Sequence, residues 1–120
     1  EKIDKNALIK AYQKLQPTVL SMSPFNNGDK NVDTTMKELR ITFSKPMIPK
    51  RYSISFSEKG KANFPITTVK GQENDDQTLV LNIALKPKQD YEFIITNRSF
   101  RSKDGYPLKD AEYVVKFSTR

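Results

Sequence analysis

The 120-residue chain contains no cysteine and no histidine. Because thiols and imidazoles are absent, it cannot carry a thiol nucleophile, a histidine-based triad, a zinc finger, a redox pair or a disulfide framework. Carboxylates, hydroxyls, amines and phenols are the remaining candidate catalytic groups. No apolar run approaches the roughly 20 residues of a bilayer-spanning helix, so we expect no transmembrane segment in this chain.

The length of the chain is typical of one domain, because compact domains cluster at roughly 100–150 residues. The formal net charge is +7. The first residue is Glu1, and the pattern of a secretory leader does not follow it. We therefore expect a mature segment or a piece cut from a longer polypeptide, whose compartment has to be inferred from something other than this pattern.

Residues 4–16 have the period of an amphipathic helix. Four apolar residues recur at positions i, i+1, i+4 and i+7, which places them on one face: Leu8, Ile9, Tyr12 and Leu15. Asp4 is the expected N-cap, and Pro17 ends the pattern. Because so short a helix is marginal alone, we expect its apolar face to pack on the following domain or on a neighbour, unless the helix ends a preceding domain. The chain thus divides into a helical lead-in, residues 1–16, and a domain, residues 17–120.

After Pro17 the hydrophobic period changes to two, the period of half-buried strands. Five segments alternate in this way: 39–43, 53–57, 79–83, 91–96 and 113–118. In segment 79–83 the residue Val80 is predicted to point away from the core. Two weaker candidates, residues 18–23 and 66–70, bring the total to about seven strands.

Turn-forming residues separate the strands. Asn, Asp and Gly cluster at residues 26–29, 59–61, 74–76 and 103–105. Seven short alternating strands with no helix between them predict an all-β, antiparallel, two-sheet sandwich of the immunoglobulin-like (Ig-like) kind, preceded by one short helix. A parallel α/β fold is excluded because the crossover helices are missing.

A series of short motifs resembles a known family. Leu85-Lys86-Pro87 followed by Tyr91 is similar to the entrance of strand F in fibronectin type III and related sandwiches, where a tyrosine hydroxyl closes a tyrosine corner. The wider series covers 17–120: Pro17-Thr18-Val19, Ser23-Pro24 through Gly28 to Asn31-Val32, Ile41-Thr42-Phe43-Ser44-Lys45-Pro46-Met47, Thr78-Leu79, Asp104-Gly105-Tyr106-Pro107-Leu108 and Phe117-Ser118-Thr119. In that order and spacing it resembles the bacterial Ig-like domain of the SbsA type, often called Big_5.

The resemblance implies a non-enzymatic Ig-like module of an exported bacterial protein, located outside the cell, on its surface or in the periplasm. It implies a structural, spacer, adhesion or accessory role, other domains of the same polypeptide as partners, and neither a cofactor nor catalytic residues to transfer. The chain departs from many family members at Tyr106, where an Asn commonly follows the glycine of the late loop.

The residues suggest three kinds of candidate site. The acids Asp75, Asp76, Asp104 and Asp110 could hold a calcium ion, but we interpret them as turn residues because no EF-hand spacing surrounds them. Two basic clusters invite a nucleic-acid interpretation: Lys45, Lys50 and Arg51, and then Arg98, Arg101 and Lys103. Lysine is spread over nearly every strand and turn, so we expect these charges to solvate the surface and do not expect nucleic acid as a partner.

The third kind of site is an aromatic and basic loop. Arg98, Phe100, Arg101 and Tyr106 could form an exposed patch that recognises an acidic polymer, a glycan or a protein. The competing interpretation, which we favour, is that Phe100 folds inwards with Phe25 and Phe64 to close the ends of the sandwich. On that interpretation, substitutions at Phe100 and Tyr106 reduce stability and not binding.

Overall fold

The structure is a computed structural model that describes residues 5–120. One helix, α1 (Lys5–Leu15), precedes seven strands: β1 (Val19–Ser23), β2 (Glu38–Phe43), β3 (Ile54–Phe56), β4 (Ile66–Glu73), β5 (Thr78–Ile83), β6 (Asp90–Thr96) and β7 (Glu112–Ser118). A short 3₁₀ helix, Lys61–Asn63, lies between β3 and β4. The expected N-cap Asp4 lies outside the described residues.

The strands form two antiparallel sheets, in the orders β1-β2-β5-β4 and β3-β6-β7. This is the strand order of a constant-type Ig sandwich, in which the first, second, fifth and fourth strands face the third, sixth and seventh. The predicted fold class is confirmed. Both weaker strand candidates are present, and β4 continues past residue 70 because Gly71, at φ 153°, accommodates a bulge in its pairing with β5.

The core lies between the two sheets and consists of the inward residues of nearly every strand. The core side chains with at most 1% exposure in the strands are Leu39, Ile41 and Phe43 of β2, Leu81 of β5, Phe93 and Ile95 of β6, and Val115 of β7. The alternation in β2, where every second residue is buried, matches the predicted period of two.

Val80 points away from the core, as the alternation predicts, but it is nevertheless buried and is 1% exposed. It occupies the outer face of the central strand β5, where its register partners are Arg40 and Gly71. Arg40 binds Glu73 across this face, with 3.0 Å between Nε and Oε1. The aliphatic stems of such long charged side chains cover apolar surface while their heads stay in water, so the neighbouring ion pair buries Val80 without a second layer.

The outer edge of β7 is covered by the chain that follows β1. Residues 26–33 run beside β7, and Gly28 N–H donates to Lys116 O at 2.7 Å. The Asn27 side chain bonds twice, since its Nδ2 donates to Val114 O at 2.9 Å and its Oδ1 accepts from Lys116 N–H at 2.9 Å. The predicted turn at residues 26–29 therefore also removes an open sheet edge, which would otherwise invite strand addition.

The chain enters and leaves the sandwich at opposite poles. Lys109 N–H, in the β6–β7 connection, donates to Pro17 O just after α1. We call this end of the sandwich the helical pole. Arg120 lies at the other end, where its backbone O accepts from Lys88 N–H and its Nε donates to Asn31 O. With α1 extending from the helical pole, the molecule measures 61 × 28 × 20 Å.

The predicted tyrosine corner is present at the start of β6. Lys86 N–H donates to the Tyr91 hydroxyl at 2.7 Å, and the Tyr91 ring stacks on Phe117 with 5.4 Å between centroids. Tyr91 is 4% exposed. The bond therefore satisfies a backbone donor in the β5–β6 connection and fixes that connection to the core.

Replacing Tyr91→Phe keeps the ring but leaves Lys86 N–H without its acceptor. We expect a loss of about 0.5–1.5 kcal/mol in the free energy of unfolding, the usual net contribution of one hydrogen bond, because this bond is partly buried. Urea unfolding followed by circular dichroism measures this loss. The matched control is Tyr113→Phe, because the Tyr113 hydroxyl has no hydrogen-bond partner among residues 5–120; equal losses in both variants would contradict the role of the corner.

Candidate interaction surface at the helical pole

The end of α1 is joined to the sandwich by backbone and side-chain hydrogen bonds. Thr18 N–H donates to Ser44 Oγ at 2.9 Å, and Ser44 N–H returns a bond to Thr18 O at 2.8 Å. Gln16 Nε2 donates to Pro107 O at 3.4 Å. The β2–β3 and β6–β7 connections thus hold the segment between helix and first strand from two sides.

A cluster of four side chains, which we call the junction cluster, extends this contact to the helix itself: Tyr12, Lys45, Asp104 and Tyr106. The rings of Tyr12 and Tyr106 meet edge to face, with 5.5 Å between centroids. Lys45 Nζ lies 4.9 Å from the centre of the Tyr106 ring and 2.7 Å from Asp104 Oδ2. Tyr106, the departure noted in the sequence, is therefore the residue through which the late loop contacts the helix.

The loop that presents Tyr106 is fixed by a buried serine. Ser102 is fully buried, and its Oγ accepts from Tyr106 N–H at 3.1 Å while donating to Asp104 Oδ1. Gly105 adopts φ 95°, a left-handed conformation that glycine reaches without a side-chain clash. The position of the Tyr106 ring is thus set by the backbone of its own turn.

The electrostatics of the cluster favour the charged form of Asp104. Its pKa is lowered from the ordinary value, first by the hydrogen bond from Lys45 and then by the hydrogen bond from Ser102. A lowered carboxyl pKa means that the folded state binds this proton more weakly than the unfolded chain does. The stabilising contribution is therefore present above the unfolded pKa and is lost as the pH falls through the lowered pKa.

The loop site predicted from the sequence is divided between the core and the surface. Phe100 is 2% exposed and packs against Phe43 and Tyr52, with ring centroids 5.6 and 5.9 Å away. Phe100 therefore folds inwards, as the favoured interpretation has it, and its placement in an exposed patch is corrected, because its ring fills the end of the sandwich between the two sheets. Tyr106 remains partly exposed at the helical pole.

The two arginines of that loop form hydrogen bonds within the domain. Arg101 Nη1 donates to Asn97 O at 2.8 Å and to Phe100 O at 2.9 Å, which binds the turn after β6 to itself. Arg98 Nη2 donates to Ser55 Oγ of β3 at 3.0 Å. The structure therefore does not gather Arg98, Phe100, Arg101 and Tyr106 into one patch.

Two lysines of the basic clusters also have acidic partners. Lys103 Nζ pairs with Asp76 at 2.7 Å, so two of the lysines from the basic clusters, Lys45 and Lys103, are neutralised by acids. Asn74, Asp75 and Asp76 have φ values of 53°, 55° and 66°, a run of left-handed residues that identifies a tight turn. Within residues 5–120 no group of three metal-binding side chains and no helix long and apolar enough to cross a bilayer is found.

Sequence reasoning missed the contact between the helix and the late loop. The separate signals were a tyrosine on the helical face and an aromatic residue after Gly105, which are 94 positions apart by their residue numbers, Tyr12 and Tyr106. Neither the hydrophobic period nor the spacing of motifs can show that two such distant positions are in contact. Only the strand order, which brings the β6–β7 connection beside Pro17, places the two rings together.

Removing the Lys45 charge by Lys45→Met should raise the pKa of Asp104 towards its ordinary value, because the strongest of its stabilising partners is lost. The pKa can be measured from the pH dependence of the Asp104 side-chain carboxyl signal in NMR spectra. Lys103→Met, which removes a nearby lysine paired with Asp76, is the control and should leave Asp104 nearly unchanged. An unaltered titration in Lys45→Met would refute this account of the cluster.

The two aromatic residues of the predicted site should respond differently to truncation. Phe100→Ala empties a core position and should lower the free energy of unfolding by about 3–5 kcal/mol. Tyr106→Ala removes a partly exposed ring and should cost less than about 1 kcal/mol, within the usual range of surface changes. Chemical denaturation of both variants makes the comparison, and similar losses would show that Tyr106 also belongs to the core.

Comparisons with known proteins agree with this architecture. The model of the Big_5 family, described as a bacterial Ig-like domain, matches residues 13–119. Among solved structures, CopC from Methylosinus trichosporium OB3b is similar with a TM-score of 0.61 and 22% identity, over 87% of this chain and 93% of that one. Among curated proteins, no sequence relative matches the chain.

Two structures of the surface-layer protein SbsC are also similar. Domains 1–6 of SbsC match with a TM-score of 0.56 and 17% identity, and the fragment rSbsC(31-844) with 0.54 and 19%. Each match covers 97% of this chain but 15% of the SbsC chain, so the present chain spans a small part of that protein's length. These identities support a common fold, and the match of the family model over nearly the whole sandwich shows more: the chain belongs to the Big_5 family of bacterial Ig-like domains.

Proposed function

We propose that the domain is a non-catalytic structural module that holds other domains of a larger exported bacterial protein at a fixed distance and angle. The observation that carries the proposal is the placement of the chain ends at opposite poles of one sandwich. A domain connected in this way lies in series between its neighbours. Their separation is then set by a packed core instead of by a flexible linker.

The junction cluster supports a fixed angle as well as a fixed distance. A flexible connection at residues 16–18 would let α1 swing freely, but Gln16 and Thr18 are both hydrogen-bonded to the sandwich. Tyr12 adds a ring contact one turn earlier in the helix. Contacts at three successive points along the chain define an axis, whereas a single contact would define only a pivot.

The family and its similar structures support an exported location. Big_5 is a bacterial Ig-like domain, and the SbsC structures are described as surface-layer protein. We place the parent protein outside the cell, on its surface or in the periplasm on this basis. Immunodetection of the native protein in fractionated cells tests the placement, and recovery from the cytoplasm alone would contradict it.

The alternative role, recognition of an acidic polymer, a glycan or a protein through the late loop, has weaker support. It needs Phe100 and the two arginines at the surface together. Phe100 is in the core, and both guanidinium groups bond to the domain itself. The structural role is compatible with the buried Phe100 ring and with arginines that are hydrogen-bonded within the domain.

The rigidity of the module can be tested with two spin labels. The chain has no native cysteine, so Lys10→Cys on α1 and Asn31→Cys at the opposite pole give one label at each end. We expect pulsed electron spin resonance to show a single narrow distance distribution, within the 61 Å length of the molecule. Tyr106→Ala should broaden it, because the ring contact with Tyr12 is lost.

Tyr106→Phe is the matched control for this experiment, since it keeps the ring against Tyr12 and beneath Lys45. Its distance distribution should remain as narrow as that of the parent chain. A broad distribution in the parent chain itself would reject the proposal that the domain sets a fixed angle, whatever the variants show.

A further inference from the structure

The segment that covers the edge of β7 is paired with it in parallel. Residue numbers rise together on the two sides, and Val32 and Thr119 form a parallel bridge. The backbone bonds run from Gly28 N–H to Lys116 O at 2.7 Å, from Ser118 N–H to Asp29 O at 2.9 Å, from Val32 N–H to Ser118 O at 3.1 Å and from Arg120 N–H to Val32 O at 3.2 Å. We call this pairing of residues 27–32 with residues 114–120 the parallel clamp.

Side chains strengthen the parallel clamp where it begins. Asn27 Nδ2 donates to Val114 O and Asn27 Oδ1 accepts from Lys116 N–H, each at 2.9 Å. Just before the clamp, the Phe25 ring packs on Phe117 of β7 with 4.6 Å between centroids. Residues 25–32 are therefore held to β7 both by hydrogen bonds and by buried aromatic rings.

The parallel clamp lies on the path of the chain from one pole to the other. From Pro17 at the helical pole the chain follows β1, crosses to the other sheet and reaches residue 27, while β7 leads directly to Arg120 at the opposite pole. Both β1 and β7 thus run away from the helical pole. Pulling the two ends apart draws residues 27–32 towards the helical pole and draws β7 away from it.

Tension in this direction loads the parallel clamp in shear. The two segments can separate only by sliding along their own length, so all of the bonds between them are strained at the same time. The bonds of a parallel ladder are evenly spaced, and the load is therefore shared among them. A pull across the strands would instead open the same ladder from one end, one bond at a time.

On its other side β7 is fixed to β6. The antiparallel register between these strands joins 90–96 to 112–118 without interruption. β7 therefore cannot slide towards the pole of Arg120 without shearing this ladder as well. The junction with α1 depends on much less, namely the Tyr12 ring contact and the bonds of Gln16 and Thr18, so under tension we expect the helix to detach before the sandwich opens.

We propose that the parallel clamp keeps the sandwich folded when neighbouring domains pull on its two ends. The inference rests on the proposed function, because a domain carries tension from one neighbour to the next only when it is connected in series. It adds a resistance to force, which a fixed distance at rest does not require. Forced unfolding is governed by the unfolding rate and not by equilibrium stability, so the bonds that must break first determine how long the fold survives.

Single-molecule force spectroscopy at constant force tests the proposal. Because the chain has no native cysteine, Lys10→Cys combined with Arg120→Cys attaches one handle towards each pole. We expect Asn27→Ala to shorten the lifetime of the folded sandwich by about fivefold or more, the effect of losing two hydrogen bonds of ordinary strength. Asn27 is exposed, so the variant should keep its fold, which circular dichroism verifies.

The matched control is Asn63→Ala. Asn63 Nδ2 donates to Asp90 O at 2.8 Å, which joins the 3₁₀ helix to the start of β6 outside the path between the chain ends. This variant also loses a bond from an asparagine amide to a backbone carbonyl, but its lifetime under force should remain that of the parent chain. Equal shortening in Asn27→Ala and Asn63→Ala would overturn the proposal, because the position of the lost bond would then be irrelevant.

The direction of the pull gives a second test. β3 runs towards the pole of Arg120, and Lys59, which follows it, lines a depression together with Lys116 and Ser118. Handles at Lys59→Cys and Arg120→Cys therefore pull across the strands and should peel β7 from its end. We expect a clearly shorter lifetime than for the pull between the poles at the same force. An equally long lifetime in this direction would overturn the proposal.

These outcomes can be separated from those of the label-distance experiment. A narrow distance distribution, combined with a lifetime that Asn27→Ala does not change, would keep the spacer role and reject the resistance to force. A broad distribution would reject the fixed angle, which α1 provides, while the lifetime under force reports on the sandwich alone and still decides on the parallel clamp.

Discussion

The structure depends on burial of one apolar face from each of two sheets against the other. No disulfide can hold this chain together, since it has no cysteine, so the packing of residues such as Phe43, Phe93 and Leu81 is the main source of its stability. Once the sheets are paired, the strand order determines which connections lie next to each other at the poles. The cover on the β7 edge and the junction with α1 both form between distant segments that only the closed sandwich brings together.

Much of this arrangement could be predicted, because it follows from patterns within short stretches of the sequence. A period of two is a direct consequence of strand geometry, so β2 and β6 could be placed from their own residues. The tyrosine corner could be placed because Tyr91 stands at a fixed short distance from Lys86 in the chain. In each case the physical cause lies within a few residues of its effect, and a single sequence is sufficient to show it.

The positions that could not be predicted are those whose surroundings come from distant segments. The alternation in β5 places Val80 on the outward face of the strand, where exposure is expected. Instead, Arg40 and Glu73 from the two neighbouring strands cover it. For Phe100 the residues allowed either an exposed patch with its arginine neighbours or, as we favoured, an inward ring, and the structure decides for the core. Adjacent side chains in a loop can point in opposite directions, so composition alone does not determine which of them water can reach.

The helical pole shows how one side chain can determine which parts of a domain are in contact. The Tyr106 side chain extends from the late loop far enough to meet Tyr12. Lys45 contacts both the Tyr106 ring and Asp104, so side chains from two connections, β2–β3 and β6–β7, are linked to the helix. The same contact leaves the apolar stripe of α1 exposed beyond the pole, because the helix is held at its last turn and not along its length. Anchoring through Tyr12 and Gln16 therefore joins the helix to the sandwich without burying its apolar face.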